Sequence, residues 1–241
     1  MNTEPLPELP PVMGLMQFLG LLQFNDGLFP VGAYAHSFGM ECYVQEGLIR
    51  DTAGVEAFIA TLLECSAAPT DAVAALCVLR CMKAGDTEEC LRLDHLLDAM
   101  KCAKEMREAS RQMGHQTLRI ASRLYPGNFL TSYFDRVVQH SAPGHHAIAL
   151  GLVGSRMEWS PMEMAGAYLY STSSALVNAA IRLLPLGQMA GQEILFHLQP
   201  LIARLASEVQ ETSEPGLWSF TPAQEIASMR HATLDARLFR S

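Results

Sequence analysis

The first residues that could do chemistry are a histidine followed by a serine, His36 and Ser37, in the glycine-rich stretch LFPVGAYAHSFGMECYVQEGLI. A serine nucleophile needs a base within hydrogen-bonding reach and an acid that orients this base. Neighbouring residues of a helix point about 100° apart, so His36 is badly placed to deprotonate Ser37. The Gly-x-Ser-x-Gly turn that exposes the serine of many hydrolases is absent from the sequence. We therefore expect no catalytic residue here, and a small helical hydrolase that uses Ser37 is the disfavoured alternative.

The same stretch is better interpreted as a tightly packed turn followed by a helix. Gly32 and Gly39 would let another backbone come close, because glycine carries no Cβ. The pattern predicts a helix from about Ala33 to Glu46, ended by Gly47 in the left-handed conformation. In this interpretation the histidine and the serine belong to a packing surface.

Two other groups contain residue types that bind metals. His140, His145 and His146 cluster around a Pro-Gly turn, and Cys77 and Cys81 are four residues apart, on one face of a helix. Neither group has a specific spacing such as His-Glu-x-x-His or a pair of Cys-x-x-Cys motifs. We expect the two cysteines to be core residues and the histidines to cap a helix N-terminus. Weak metal binding by the three histidines is the alternative.

Charge and motifs exclude other functions. The chain has 17 Lys and Arg against 25 Asp and Glu, a net charge of -8, which opposes binding to the phosphates of nucleic acid. Neither a Gly-x-x-x-x-Gly-Lys-[Ser/Thr] loop nor a Gly-x-Gly-x-x-Gly motif occurs, so we expect no nucleotide chemistry and no tightly bound cofactor. Six cysteines lie in apolar, helix-like stretches and no secretory leader precedes them, which indicates a cytoplasmic protein.

These residues must be positioned by helices. Helix signals recur along the chain, whereas alternating runs of β-branched residues do not, so we predict an all-α fold, a single-domain bundle of about ten helices over residues 15–211. Residues 1–14 are predicted to be a flexible, proline-rich arm. Residues 212–241 are predicted to form a C-terminal tail, of which residues 220–241 are predicted to be loosely attached in the free protein.

Several helix boundaries can be predicted from local signals. Ser160-Pro161-Met162-Glu163 combines a serine N-cap with proline at the first and glutamate at the third helical position, which starts a helix. Pro69 is predicted to separate a helix that ends near Cys65 from another that ends near Gly85. Salt bridges are expected one helical turn apart, between Lys101 and Glu105 and between Lys104 and Glu108.

The uncharged residues 164–181 are almost long enough to cross a bilayer, which takes about 20 residues. Polar side chains would be costly in hydrocarbon, so we predict a buried helix of a soluble protein and no membrane partner. The polar residues are Ser171, Thr172, Ser173, Ser174 and Asn178.

Four separated segments carry a resemblance to a known family. They are LLQFNDGLFPVGAYAHSFGMECYVQEGLI, REASRQMGHQTLRIASRLYP, EWSPMEMAGAYLYSTSSALVNAAIRLLPLGQ and IASMRHATLDARLFRS. In this order they resemble the UreF family of urease accessory proteins, from about residue 15 to the C-terminus. Met40 stands where leucine is expected, a conservative exchange.

The resemblance implies a non-catalytic, all-helical homodimer. Such a protein bridges an accessory protein of the UreD (also called UreH) type and the GTPase UreG, so that nickel enters apo-urease. Nickel would then be handled by the assembled complex, and a GTPase-activating arginine could be Arg156, Arg182 or Arg240. The alternative is a metallochaperone that itself ligates nickel through His140, His145 and His146.

The resemblance also implies partner-binding residues. They lie in the stretch from Pro30 to Glu41 and in the C-terminal residues 230–241, which the family associates with partner docking. The residues concerned are Pro30, Gly32, Tyr34, His36, Ser37, Gly39, Glu41, Arg182, Arg230, His231, Arg237 and Arg240.

Overall fold

The computed structural model describes residues 14–212 and 216–240. In these two ranges the regular secondary structure is helical and no strand occurs, which confirms the predicted all-α, single-domain bundle. The predicted arm, residues 1–14, lies outside the described residues except for Gly14, and so do residues 213–215 and 241 of the predicted tail. The helices are α1 Leu15–Asn25, α2 Met40–Gln45, α3 Thr52–Leu62, α4 Val73–Ala84, α5 Thr87–Met100, α6 Lys104–Leu124, α7 Phe129–Val138, α8 His146–Arg156, α9 Pro161–Leu183, α10 Gln188–Glu211 and α11 Pro222–His231.

The break predicted at Pro69 is wrong. A π-helical segment, Leu63–Ala72, joins α3 to α4 and makes one continuous helix, Thr52–Ala84, of 33 residues. When this helix is counted once, the described ranges contain ten helices, in agreement with the expected number.

Backbone hydrogen bonds from the far end of the chain explain why Pro69 is tolerated. In an α-helix, proline donates no hydrogen bond to the carbonyl four residues earlier, and its ring clashes with this group. Here that carbonyl belongs to Cys65, and it accepts a hydrogen bond from the backbone N–H of Phe220 at 2.8 Å. The carbonyl of Pro69 accepts from the N–H of Trp218 at 3.3 Å. Residues 216–220 thus run along the π-helical segment and supply donors that a local sequence pattern does not show.

The long helix Thr52–Ala84 also passes a membrane-span test on length and composition alone. However, 83% of its most apolar stretch is buried inside the protein, as in the core helix of a soluble protein. In α9, the hydroxyls of Ser171 and Thr172 donate to the carbonyl of Tyr168, and the hydroxyl of Ser173 donates to that of Leu169. The side-chain amide of Asn178 donates to the carbonyl of Ser174. Four of the five polar side chains of the uncharged stretch are therefore bonded to their own helix.

Helix α8 lies at the centre of the bundle, and glycines let its neighbours approach. Its residues 147–154 are all buried. A Cβ on Gly151 would lie 2.7 Å from the carbonyl oxygen of Ala75 in α4. A Cβ on Gly114 of α6 would lie 2.6 Å from the carbonyl carbon of His145, at the start of α8. Both helices therefore pack backbone to backbone against α8.

The single helix predicted for residues 33–46 is wrong, because the stretch is divided. A 3-10 turn, Ala33–Ala35, is separated from α2, which begins only at Met40. Between them Phe38 and Gly39 adopt φ angles of 51° and 87°, which no α-helix can contain.

The charge pairs predicted on α6 are half correct. Lys104 and Glu108 form the expected pair at 3.7 Å. Lys101 instead approaches Asp71 of the π-helical segment, with Nζ 2.8 Å from Oδ1, and Glu105 contacts the C-terminal part of the chain. The predicted Lys101–Glu105 pair is therefore wrong, because both side chains have long-range partners.

Two helix-interior glycines provide a test of this packing. Gly114→Ala should lower the free energy of unfolding by about 2 kcal/mol, because the new methyl group meets backbone that cannot yield easily. Gly166→Ala in α9 is the matched control, since its Cβ would lie 3.9 Å from the Cβ of Ala206, an ordinary contact. It should be neutral or stabilising by up to about 1 kcal/mol. Urea unfolding of both variants measures the difference, and equal effects would contradict the proposed role of Gly114.

Candidate functional site

The C-terminal segment, defined here as residues 216–240, packs against the body of the protein. His231 and Ser228 are fully buried and Phe239 is 4% exposed. The prediction of a loosely attached tail is therefore wrong for these residues. The polar and aromatic side chains of the C-terminal segment contact residues that are distant in sequence, and a local sequence pattern does not reveal such contacts.

The carboxylate of Glu41 holds the end of this segment. Glu41 is only 2% exposed. Its Oε1 accepts a hydrogen bond from the backbone N–H of Leu238 at 2.7 Å, and its Oε2 accepts from the N–H of Phe239 at 3.1 Å. Nε2 of His231 lies 2.9 Å from the same Oε2. Leu238 and Phe239 lie outside any helix, so their N–H groups have no helical hydrogen-bond partner. The buried carboxylate of Glu41 accepts a hydrogen bond from each of them.

His231 connects Glu41 to a second carboxylate. Its Nδ1 lies 2.8 Å from Oε2 of Glu105 in α6, so each ring nitrogen faces a carboxylate oxygen. Arg237 joins the network, with a guanidinium nitrogen 3.1 Å from the other oxygen of Glu105. Helices α2, α6 and α11 and the residues that follow α11 are linked through these four side chains.

Helix α11 also packs closely against the backbone of Phe38 and Gly39. A Cβ on Gly39 would lie 2.8 Å from the hydroxyl of Ser228 and 3.1 Å from the carbonyl oxygen of Gln224, so α11 crosses directly over this glycine. The amide of Gln224 donates to the carbonyl of Phe38 at 3.0 Å. The close approach predicted at Gly39 is therefore present. The one predicted at Gly32 is wrong, because no atom would lie within 4 Å of a Cβ there; its φ of 85° is the feature that favours glycine.

His36 and Ser37 are buried under this interface. Ser37 is fully buried and His36 is 3% exposed, so neither is open to a substrate in solution. Burial lowers the pKa of His36 to about 4, and the positive charges of Arg240 and His231 add to this effect. The Ser37 hydroxyl accepts a long hydrogen bond, 3.4 Å, from the N–H of Glu41 at the start of α2. These are the contacts of packed residues, as the sequence analysis expected.

Exposed side chains surround the buried ring of Phe239. The guanidinium carbon of Arg182 lies 4.4 Å above the centre of this ring, and the same group donates to the carbonyl of Tyr34 at 2.8 Å. The N–H of Arg240 donates to the carbonyl of Ala35 at 2.8 Å. We call the exposed residues of this surface the tail patch. They are Tyr34, Arg182, Leu238 and Arg240.

The other predicted partner-binding residues fall into two groups. Pro30, Arg230 and Arg237 are exposed, and Arg230 pairs with Glu46 at 3.1 Å. The remaining residues support the interface from inside or in its turns. They are Gly32, His36, Ser37, Gly39, Glu41 and His231.

A cavity of about 600 Å³ opens beside the tail patch, with Tyr34 and Arg182 among its lining residues. Asp71 and Lys101, which form a salt bridge, also line it, with Tyr168 and His146. Burial raises the pKa of Tyr168, and nearby Asp71 raises it further. Sequence analysis missed this polar group, because its four members come from four separate segments and form no motif.

The three histidines of the predicted cluster do not come together. His145 is fully buried, with Nδ1 3.0 Å from the Ser110 hydroxyl and Nε2 3.0 Å from Asp98. His146 lines the large cavity, whereas His140 is exposed. The trio is therefore no ligand set, and the described residues contain no preformed group of three or more metal-binding side chains.

The predicted capping role of these histidines is also wrong. His145 is the N-cap residue of α8, but its side chain forms no capping hydrogen bond. Asp94 of α5 does so instead, accepting from the N–H of Gly144 at 2.7 Å and from the N–H of His145 at 2.9 Å. Cys77 is a core residue, as expected, and Cys81 packs against the core while partly exposed.

Comparisons with known proteins point to one family. Residues 49–199 match the family model described as UreF. The chain is similar to "Urease accessory protein UreF" of Bacillus sp. (strain TB-90), with 34% identity over 225 residues, which are 93% of this chain and 99% of that protein. It is also similar to the protein of the same name from Lachnoclostridium phytofermentans, with 33% identity over 223 residues, 92% of this chain and 98% of that protein.

The hydrogen bonds of Glu41 should determine whether the end of the C-terminal segment stays attached. Glu41→Gln should release residues 232–240 and lower the free energy of unfolding by about 3 kcal/mol, because the amide nitrogen cannot accept a hydrogen bond from the buried donors. Hydrogen exchange of the amides of Leu238 and Phe239 should accelerate. Glu46→Gln is the control, since its pair with Arg230 is exposed and contributes at most about 1 kcal/mol. Unchanged protection at Leu238 in the Glu41 variant would contradict this role.

The buried histidines predict a pH dependence of stability. Burial lowers the pKa values of His36, His145 and His146 from 6.5 to about 4. Between pH 6.5 and 4 the unfolded chain therefore binds protons that the folded protein does not, and stability falls as the pH is lowered through this window. Each histidine should contribute on the order of 1–3 kcal/mol to this loss. Denaturant unfolding across the window measures the slope, which should be shallower in His36→Gln; an equally steep slope in this variant would refute the assignment.

Proposed function

Because the chain belongs to the UreF family of urease accessory proteins, we propose that it is a non-catalytic scaffold that bridges a UreD/UreH-like protein and a UreG-like GTPase. In this proposal the chain acts as a cytoplasmic homodimer, and the assembled complex delivers nickel to apo-urease. The observation that carries it is the tail patch, which the folded protein displays beside the buried network of Glu41 and His231.

The tail patch has the composition of a docking surface. Tyr34 is 68% exposed and Leu238 is 51% exposed, so both offer apolar area to a partner. Arg182 and Arg240 add guanidinium groups, which pair well with carboxylates and carbonyl oxygens. Tyrosine and arginine are the types that contribute most at protein interfaces. We assign this surface to the UreD/UreH-like partner.

Buried residues under the tail patch fix the positions of its exposed side chains. Phe239 fills the space under Arg182, and the N–H groups of Leu238 and Phe239 are fixed by Glu41. A partner that docks here would therefore order few additional residues, so little conformational entropy would be lost on binding. This support explains how buried residues such as His36, Ser37 and Gly39 would influence partner binding without touching the partner.

A GTPase-activating arginine would have to reach the nucleotide of the partner. Arg156 stacks on the ring of Tyr125, with 4.9 Å from its guanidinium carbon to the ring centre, and Arg182 stacks on Phe239. Arg240 is exposed at the end of the described chain. Because Arg182 and Arg240 belong to the tail patch, which we assign to the UreD/UreH-like partner, Arg156 is the one of the three that remains for a test of GTP turnover.

Removing the whole tail is a poor test of this proposal. Residues 222–240 include the buried side chains of Gln224, Ser228, His231 and Phe239, so their deletion would uncover the body of the protein. Loss of binding after such a truncation would not distinguish a missing contact from a damaged fold. Substitutions at exposed positions avoid this difficulty.

The double variant Tyr34→Ala/Arg240→Glu should weaken capture of the UreD/UreH-like partner at least about tenfold, because it removes apolar area and reverses a charge within the tail patch. The melting temperature should change little, since both side chains are exposed. Arg123→Glu is the control: it makes the same charge change at an exposed position at the end of α6. Surface plasmon resonance with the purified partner gives the affinities, and normal binding by the double variant would exclude the tail patch as the docking surface.

A further inference from the structure

Two cysteines lie close together where α4 ends and α5 begins. Cys81 belongs to the last turn of α4 and Cys90 is the fourth residue of α5, with residues 82–89 between them. The backbone of Asp86 contacts both. Its N–H donates to the carbonyl of Cys81 at 2.9 Å, and its carbonyl accepts a hydrogen bond from the thiol of Cys90 at 3.5 Å. The turn between the two helices therefore holds the cysteines on either side of one residue.

The two thiols are also in contact with each other. The side chains of Cys81 and Cys90 are within hydrogen-bonding distance. Cys90 is fully buried, whereas Cys81 is partly exposed. Residues 83–88 of the connection are exposed, so a small molecule can approach Cys81 from the solvent. One sulfur is thus accessible, and the other is held beside it out of contact with water.

We propose that Cys81 and Cys90 form a reversible, peroxide-sensitive thiol pair, which closes to a disulfide between α4 and α5 when a hydroperoxide reaches Cys81. A reducing thiol opens the disulfide again. Both cysteines are free thiols in this structure, which is the reduced state of the pair. Disulfides of cytosolic proteins are usually transient and redox-sensing. The thiol pair goes beyond the proposed scaffold role and does not depend on it.

The reaction balances in two steps. The sulfur of Cys81 attacks one oxygen of the hydroperoxide, the O–O bond breaks, an alcohol or water leaves, and Cys81 becomes a sulfenic acid. The sulfur of Cys90 then attacks the sulfur of Cys81. The S–S bond forms, the S–O bond breaks, and the hydroxyl group leaves as water with the thiol proton of Cys90. The two thiols together lose two electrons and two protons, and the hydroperoxide takes them up.

Cys90 is a weak nucleophile, and its position compensates for this weakness. Burial raises the pKa of its thiol to about 12, and the nearby Cys81 and Asp86 add to this effect. Cys90 is therefore protonated near neutral pH and does not react with a peroxide by itself. Once Cys81 is a sulfenic acid, the contact between the two side chains makes the second step intramolecular, which favours Cys90 over any thiol in solution.

Peptide mapping after oxidation of the full chain tests the thiol pair. Trypsin cleaves after Arg80, Lys83 and Arg92, so the two cysteines fall into separate peptides, residues 81–83 and 84–92. Hydrogen peroxide, followed by N-ethylmaleimide to block the remaining thiols, should link these two peptides through a disulfide. The oxidised protein should still run as a single chain on a non-reducing denaturing gel, and dithiothreitol should separate the peptides.

Variants identify the role of each sulfur. Cys81→Ala and Cys90→Ala should each abolish the linked peptides. In Cys90→Ala the sulfenic acid of Cys81 lacks the thiol that consumes it, so dimedone should trap it there and much less of it in the wild type. Cys102→Ala is the matched control, because it removes an exposed cysteine outside the pair and should keep the link. Circular dichroism of each variant checks that the helices are intact.

Two results would overturn the proposal. One is recovery of residues 81–83 and 84–92 as unlinked peptides from the oxidised wild type, with oxidation confined to Cys102. The other is a link that occurs only between two chains, because the contact in the structure lies within one chain. Neither result bears on docking at the tail patch.

Discussion

The buried carboxylate of Glu41 is the constraint on which the candidate site depends. A carboxylate that loses its water must be compensated by donors, and unpaired it would cost several kcal/mol. Here the donors are two backbone N–H groups near the end of the chain and one imidazole, so the side chain is satisfied only when the C-terminal segment is in place. The position of Phe239, and with it the shape of the tail patch, follows from this requirement.

The same reasoning applies to the backbone at the other end of the C-terminal segment. Pro69 deprives the long helix of a donor, and residues 216–220 supply donors to the carbonyls of Cys65 and Pro69. Buried or half-buried backbone groups have to be paired, and here they are paired between segments that are distant in the chain. The segment is thus attached at its start by the π-helical turn and at its end by Glu41. Between these points α11 crosses over Gly39, where a larger residue would not fit.

Local signals in the sequence predicted much of the bundle, because a cap or a stop acts within a few residues. The box of Ser160 and Glu163 forms as predicted, with both of its hydrogen bonds, and Gly47 ends α2 with a φ of 69°. Predictions failed where the partner of a group lies far away in the chain. Lys101 pairs with Asp71 rather than one turn along its own helix, and Pro69 is rescued by residues 216–220. In the candidate site, the resemblance placed Glu41 and His231 among the partner-binding residues, whereas the structure buries both of them beneath the surface.

The tail patch combines side chains from two distant parts of the chain. The exposed side chains of Tyr34 and Arg182 come from the body of the protein, whereas Leu238 and Arg240 come from the end of the chain. The tail patch is therefore complete only when the chain has folded and its end is bound by Glu41. A partner that requires the whole patch would discriminate against incomplete or partly unfolded chains, because affinity depends on all of the anchors being in position together. A buried ionic network does not by itself make a protein more stable. In the proposed scaffold, the network of Glu41 and His231 would instead contribute to the specificity of partner binding.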